Sequence, residues 1–349
     1  AAKIGYHGTV IMKPGELGEL KEEIRASALD AGFVRVRILA PFEPDSLANG
    51  PQAPKTGRPI PDNYRPGASS ALAAALSYGN QPLEGETPSG GAVPPGACGI
   101  APFARRNYYR EAVRRLQVLA AAFRARYGGT RSDYRIFCNS PAPEKPLAHA
   151  CGLGALGRNS LIITPEAGSL IIIAAMTLPL ALETDEPIAA DGAFPFCGAC
   201  RREQPPCKAA CPTGAVRGDG KIERERCIQW YASGNGVTVP PEVVRHWGRR
   251  LYGCTACQDA CIQNRRHISG ARTNEGPLPA YLDCRELIAA QDEELKARFK
   301  GTALGLSWLG PEGIRRNARL AWEQQVSRET GIAGNGKTAA QDTPEKTTS

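Results

Sequence analysis

The stretch CGACRREQPPCKAACPTGAV, Cys197–Val216, is followed by a lone cysteine at Cys227 and then by LYGCTACQDAC, Leu251–Cys261. Eight of the chain's twelve cysteines fall between Cys197 and Cys261, within a sequence of 349 residues. Disulfide-dense chains are short secreted domains, so clustering of this kind in a long chain points to metal. A CxxC pair on a tight turn lets two thiolates converge on one centre. A cysteine a few residues further on, just before Pro212, points the opposite way and serves a second centre.

That crossing is the rule for two-cluster ferredoxins. It assigns Cys197, Cys200, Cys207 and Cys261 to one [4Fe–4S] cluster and Cys211, Cys227, Cys254 and Cys257 to another. A pair of zinc sites, each held by four thiolates, is the alternative, since those also use CxxC pairs. The CxxxCP ending and the lack of two separate CxxC…CxxC ribbons favour iron–sulfur. The gap RREQPP between Cys200 and Cys207 is six residues, where bacterial ferredoxins have two; the extra residues are expected to bulge outward.

Around this module the chain reads as an ordinary globular protein, 42% hydrophobic and 22% charged. Leu20 to Ala31 has a helical pattern, and Phe33 to Ala40 alternates Val34, Val36 and Ile38 with arginines, as a half-buried strand does. Residues 41–67 and 79–99 read as long loops flanking an apolar element, Ala68 to Tyr78. Arg110 to Tyr127 carries an apolar helical face through Val113, Leu116 and Phe123. Ser160–Ile163 and Ser169–Met176, joined by TPEAG, are expected to form a hairpin. The longest apolar run, Ser169 to Leu182, contains Pro179 and is shorter than the roughly 20 residues a membrane-spanning helix needs. Helical patterns return in Arg285–Phe299 and Pro311–Gln325, and the tail from Gly331 has a disordered composition. No signal-peptide pattern opens the chain, so a cytoplasmic location is the default, although a removed leader is compatible with the absence of an initial Met.

The formal charge is +8, and the arginines bunch at Arg105, Arg106, Arg110, Arg114 and Arg115, at Arg245, Arg249 and Arg250, and at Arg265 and Arg266. Such bunching suits a polyanion or an acidic partner, or simply a solvated face. The four histidines show no HExxH spacing, and no GxGxxG follows a strand, so neither a zinc–histidine hydrolase nor a dinucleotide site is indicated. Cys98, Cys138, Cys151 and Cys284 read as small buried hydrophobes.

Further motifs are PFARRNYYREAVRRL (Pro102–Leu116), IFCNSPAPEKPLAHACGLGALGRNSLII (Ile136–Ile163), GSL (Gly168–Leu170), CIQWY (Cys227–Tyr231) and GIRRNARLAW (Gly313–Trp322). With the cysteine motifs these resemble the epoxyqueuosine reductases, cobalamin-dependent iron–sulfur enzymes of tRNA queuosine synthesis related to reductive dehalogenases. The likeness runs from about Ala26 to Gln325.

The resemblance implies an α+β chain in four parts: an N-terminal α/β cobalamin-binding, nitroreductase-like catalytic domain over 1–190; a bacterial 2[4Fe–4S] ferredoxin-like domain over 191–268; a helical C-terminal segment over 269–328; and a disordered tail over 329–349. Two [4Fe–4S] clusters would feed electrons singly to a cobalamin whose neighbours are Phe103, Asn139, Ser160, Gln229 and Thr255. It also implies a tRNA substrate, an external donor such as flavodoxin or ferredoxin, no membrane, and a monomer. Asn139 stands where the family has a proton-donating aspartate, and an amide has no proton to give at neutral pH. Tyr108 or Tyr109 is expected to take over, as a phenol does in the dehalogenases. Asn107, Tyr109, Thr255, Ile262 and the run QWYASG also depart from the family's pattern, while the eight ligand cysteines do not. Alternatives are a dehalogenase-like or other corrinoid reductase of a small molecule, a non-catalytic iron–sulfur carrier, and a zinc-bound nucleic-acid-binding module.

Overall fold

The computed structural model describes residues 3–4, 10–11, 14–40, 70–79, 94–140, 144–188, 194–200, 203–234, 236–268, 278–305 and 308–330. The expected loop over 41–67, most of that over 79–99 and the expected disordered tail lie outside these residues.

The chain opens with a short antiparallel pair, β1 (Lys3–Ile4) and β2 (Val10–Ile11), and helix α1 (Pro14–Asp30). Strands β3 (Arg35–Leu39) and β4 (Ser70–Ser77) follow, then β5 (Ala97–Ile100), α2 (Pro102–Arg105), α3 (Tyr108–Tyr127), β6 (Ile136–Phe137) and α4 (Glu144–Ala150). Next come β7 (Ala155–Leu156), β8 (Ile162–Ile163) and β9 (Ile171–Leu178). The first core is an antiparallel sheet in the order β3-β4-β9-β6. Alternation along β4 sends Leu72, Ala74 and Leu76 to the face covered by α1 and α3. It sends Ala71, Ala73 and Ala75 to the face covered by α4 and β8. A strand buried on both faces cannot show the half-polar alternation of β3, which is why SALAAALS reads as uniformly apolar.

The expected hairpin through TPEAG is corrected by the structure. Thr164 and Gly168 exchange backbone hydrogen bonds of 2.8 and 3.0 Å, so the turn forms. Its flanking strands part company, however: β8 pairs with β7, while β9 enters the main sheet between β4 and β6. The apolar helical face runs through Leu116, Leu119 and Phe123 as expected, with Ala112 rather than Val113 buried at its start.

The second half is mostly helical: α5 (Pro206–Ala209), α6 (Ile228–Ala232), α7 (Pro241–Val244), β10 (Arg250–Tyr252), α8 (Ala256–Asp259) and α9 (Ile262–Ile268), then β11 (Tyr281–Asp283), α10 (Cys284–Ala289), α11 (Asp292–Phe299) and α12 (Gly310–Thr330). Strand β5, at the end of a stretch that reads as loop, pairs with β10 on one side and β11 on the other. Its partners lie about 150 and 180 residues downstream, so no local pattern announces it. A second core gathers around this sheet, with Trp247, Leu251, Leu287, Phe299 and Ile314 buried in it. Phe103 packs against both cores.

Candidate metal centre and active site

Helices α5 and α8 are the same device used twice. Each is one turn long and carries a cysteine inside it, Cys207 or Cys257, with another four residues on, Cys211 or Cys261. The chain tightens after each, with Cys211 N donating to Lys208 O at 3.2 Å and Cys261 N to Gln258 O at 3.1 Å. Cys211 and Cys261 lie past the end of the helical turn, and the two thiols of each pair face different voids.

Those voids are two small cavities of similar size. One, of about 20 Å³, is walled by Cys197, Cys200, Cys207 and Cys261 together with Phe196, Pro205, Pro206, Ile163, Arg158 and Asn159. The other, of about 30 Å³, is walled by Cys211, Cys227, Cys254 and Cys257 together with Pro212, Val216, Ile222 and Ile228. The four-and-four grouping read from spacing is therefore the grouping the backbone brings together.

The donor sets suit clusters rather than a single ion, since four cysteines line each cavity while, among the described residues, no group of three His, Cys, Asp or Glu is placed to hold one metal ion. Burial first, then the neighbouring thiols of Cys261 and Cys197, pushes Cys207 up to about 11. Burial likewise raises Cys197, Cys227, Cys257 and Cys261. Four thiolates crowded in an apolar cavity need positive metal to offset their mutual repulsion. Backbone N–H groups already point at the sulfurs: that of Arg158 at Cys197, those of Gln229 and Trp230 at Cys227, and those of Gln263 and Asn264 at Cys261.

The expected cobalamin neighbours form two groups. Three lie at or beside the segment Gly253–Thr255, which leads into the wall of the second cavity. Gln229 Oε1 accepts from Cys254 N at 3.2 Å, and Thr255 Oγ1 donates to Asp259 Oδ2 at 2.8 Å. The Phe103 ring meets Tyr252 at 6.2 Å and Tyr78 at 6.1 Å. The other two, Asn139 and Ser160, hold φ of 52° and 65° and are the only non-glycine residues with positive φ among the described residues. Left-handed conformations of this kind are costly and cluster at functional sites.

Two side chains missed by the sequence reading stand between these groups. Lys145 Nζ donates to Ser160 O at 2.9 Å and lies within electrostatic reach of Cys257, Cys227 and Arg224. Its side chain is exposed. Glu144 Oε1 accepts from Ser140 N at 2.8 Å and Ser140 Oγ at 2.9 Å. Burial pushes its carboxyl up to about 7, against the pull of the Ser140 hydrogen bonds. Their only sequence signal was the pair EK at the foot of a helix, which reads as solvated.

Tyr109 lies within electrostatic reach of Tyr252, Cys138 and Glu144, and burial raises its phenol far above the usual 10. Tyr108 is placed differently. It is 5% exposed within the first core, 6.0 Å from Tyr78 ring to ring, so its side chain serves packing. The arginine bunches also split: Arg105 is buried with Nε donating to Ile100 O at 3.0 Å, and Arg115 donates to Ala31 O at 2.9 Å and pairs with Glu111, while Arg110 and Arg114 are exposed. Among the described residues no helix is long and apolar enough to cross a membrane.

Comparison with known proteins matches residues 196–264 to the family described as 4Fe-4S double cluster binding domain. The epoxyqueuosine reductase of Francisella cf. novicida is 31% identical over 288 residues, covering 78% of this chain and 72% of that protein. That of Salmonella typhimurium is 28% identical over 346 residues, covering 93% and 83%. That of Bacillus subtilis is 34% identical over 180 residues, and the alignment spans 44% of that protein's length. Among solved structures, an epoxyqueuosine reductase with an epoxyqueuosine-modified tRNA-Tyr stem loop superposes with a TM-score of 0.69 at 25% identity, covering 88% of this chain and 82% of that one. A selenomethionine-labelled epoxyqueuosine reductase gives 0.71 at 24%, covering 90% and 84%. With its mixed helix-and-sheet fold and its double-cluster domain, the chain is an oxidoreductase and belongs to the epoxyqueuosine reductase family.

Proposed function

We propose that this protein reduces the epoxide of epoxyqueuosine in tRNA to the alkene of queuosine. The observation that carries this reading is the pair of four-cysteine cavities in a chain of this family, with Gln229 hydrogen-bonded to Cys254 N and Lys145 bonded to Ser160 O within electrostatic reach of Cys227 and Cys257. Cys197, Cys200, Cys207 and Cys261 hold one [4Fe–4S] cluster, and Cys211, Cys227, Cys254 and Cys257 the other. The reaction takes up two electrons and two protons for each epoxide oxygen, which leaves as water. The clusters supply one-electron transfer from an external donor of the flavodoxin or ferredoxin kind.

Phe103, Asn139, Ser160, Gln229 and Thr255 border a cobalamin, which when bound supplies the strongly reducing metal chemistry that opens the ring. The donor set suits it. Carbonyl and amide groups at Ser160 and Gln229 match amide-rich edges, and Lys145 offers a cation to a phosphate. The chain's own residues manage the protons. Asn139 orients by hydrogen bonding and gives none. Tyr109, unlike the core-packed Tyr108, lies within electrostatic reach of Glu144, whose carboxyl is part-protonated at neutral pH, as a general acid requires.

Substrate RNA meets the rim of the second cavity. Trp230 is 46% exposed there, with the Arg224 guanidinium 4.8 Å above its ring. An exposed aromatic with a cation beside it suits stacking on an unpaired base. The test is anaerobic reduction of epoxyqueuosine-containing tRNA by protein reconstituted with iron, sulfide and cobalamin. Appearance of queuosine by nucleoside mass spectrometry supports the reading, and intact epoxide after many equivalents of reductant overturns it.

A further inference from the structure

Asn159 is 3% exposed and lies on the wall of the cavity formed by Cys197, Cys200, Cys207 and Cys261. Its carboxamide is used on one side only. Oδ1 accepts from Leu161 N at 3.3 Å, which fixes the orientation of the amide, while Nδ2 is buried with no hydrogen-bond partner among the described residues. The space on the Oδ1 side is full, because a Cβ on Gly157 would stand 2.8 Å from that oxygen. A buried amide donor left unpaired costs about 1–3 kcal/mol, and natural proteins seldom leave one without a reason.

The next residue back repeats the pattern. Arg158 also lines this cavity; its backbone N–H points at the Cys197 sulfur, and its side-chain Nε is buried without a partner among the described residues. Its guanidinium is held in place by Gly218 O at 3.2 Å and by the Phe194 ring at 5.3 Å. Among the described residues the walls of the second cavity carry only Thr213 as a polar side chain besides the thiols, with Thr213 Oγ1 3.7 Å from Cys211 Sγ, and the cation near that cavity is Lys145, within electrostatic reach of Cys227 and Cys257.

We propose that the Asn159 amide donates an N–H···S hydrogen bond to the first cluster, with the Arg158 cation beside it, and so raises that cluster's reduction potential. Asn159 is then a positioning and tuning residue for electron transfer. Donors and positive charge near the sulfurs favour the reduced, more negative cluster. The sequence Arg158-Asn159-Ser160 thereby joins the two sites, with Ser160 facing the substrate side through Lys145 and Asn159 facing the metal.

This inference rests on the cluster assignment in the proposed function, and its test reads potential and magnetism in the reconstituted full-length chain without using turnover. In Asn159→Ala, potentiometric titration followed by electron paramagnetic resonance should show one of the two midpoints moving negative by a tenfold change in redox equilibrium, about 59 mV for one electron. The other midpoint should stay in place. Unchanged midpoints at full iron content would overturn the proposal. Where the variant fails to take up the first cluster, the wild type labelled with 15N-asparagine decides. A hyperfine coupling of side-chain nitrogen to the reduced cluster supports the hydrogen bond, and its absence overturns it. A wild-type chain that binds fewer than eight irons fails the ligand assignment itself, an outcome distinct from unchanged midpoints.

Discussion

At the scale of single residues, Glu144 has the most direct consequence. Its carboxyl is raised by burial to about 7, well above the usual carboxylate value. Folding therefore favours the protonated form, and the stability this contributes is present below the unfolded value and lost as pH climbs through about 7. Glu144→Gln keeps the oxygen that accepts from Ser140 but cannot ionise. The variant should melt with the wild type at pH 5 and above it at pH 8, as read by calorimetry of the anaerobic protein. Its turnover should fall about 100-fold, the usual contribution of a general acid, and should lose the limb of the pH–rate profile governed by this carboxyl. Tyr108→Phe should leave turnover near that of the wild type, because this ring packs in the core.

Elements explain how the cysteine loops are held still. Asn264, on α9, accepts from Ser169 N at 2.8 Å and donates to Gln258 O at 2.9 Å, and Gln258 Nε2 donates to Tyr78 Oη and Ser169 O, each at 2.8 Å. This buried network ties α8 and α9, which carry the sides of both cavities, to the start of β9 in the main sheet. Gly168 is required at its edge, with φ of +57° and no room for a Cβ, which would collide with Asn264 Oδ1. The GSL motif is thus a docking point for the metal-binding half. Asn264→Leu strands several buried polar groups and should cost about 2–4 kcal/mol, lowering the iron retained after mild denaturation. On α6, Trp230→Ala removes the exposed ring while Cys227 stays. It should weaken binding of an anticodon stem-loop by about tenfold, within the range for loss of one stacked base, at unchanged iron content; equal affinity by fluorescence anisotropy would count against that rim as the RNA face.

For the whole molecule, the decisive connection is β5, a strand of the first hundred residues sandwiched between β10 and β11 of the second half. Gln325 of α12 reinforces it, accepting from Gly96 N at 3.0 Å and donating to Ala97 O at 3.2 Å. A chain ending at residue 188 leaves both edges of β5 unpaired and Ile100 uncovered, and should be recovered as aggregate rather than as a folded unit. The sequence by itself determined the eight-cysteine pattern, its division into two sets, a helix over Arg110 to Tyr127 and a buried strand over Ser169 to Met176, because each is written in spacing or periodicity over a few residues. It also carried the motifs of the family. Only the tertiary structure decided the partners of β5, the parting of β8 from β9, the removal of Tyr108 into the core, and the placing of Glu144, Lys145 and Asn159 at the two sites. Those outcomes depend on which distant surfaces meet. A side chain's burial, and with it its proton affinity and its unpaired donors, is a property of the neighbours that folding supplies.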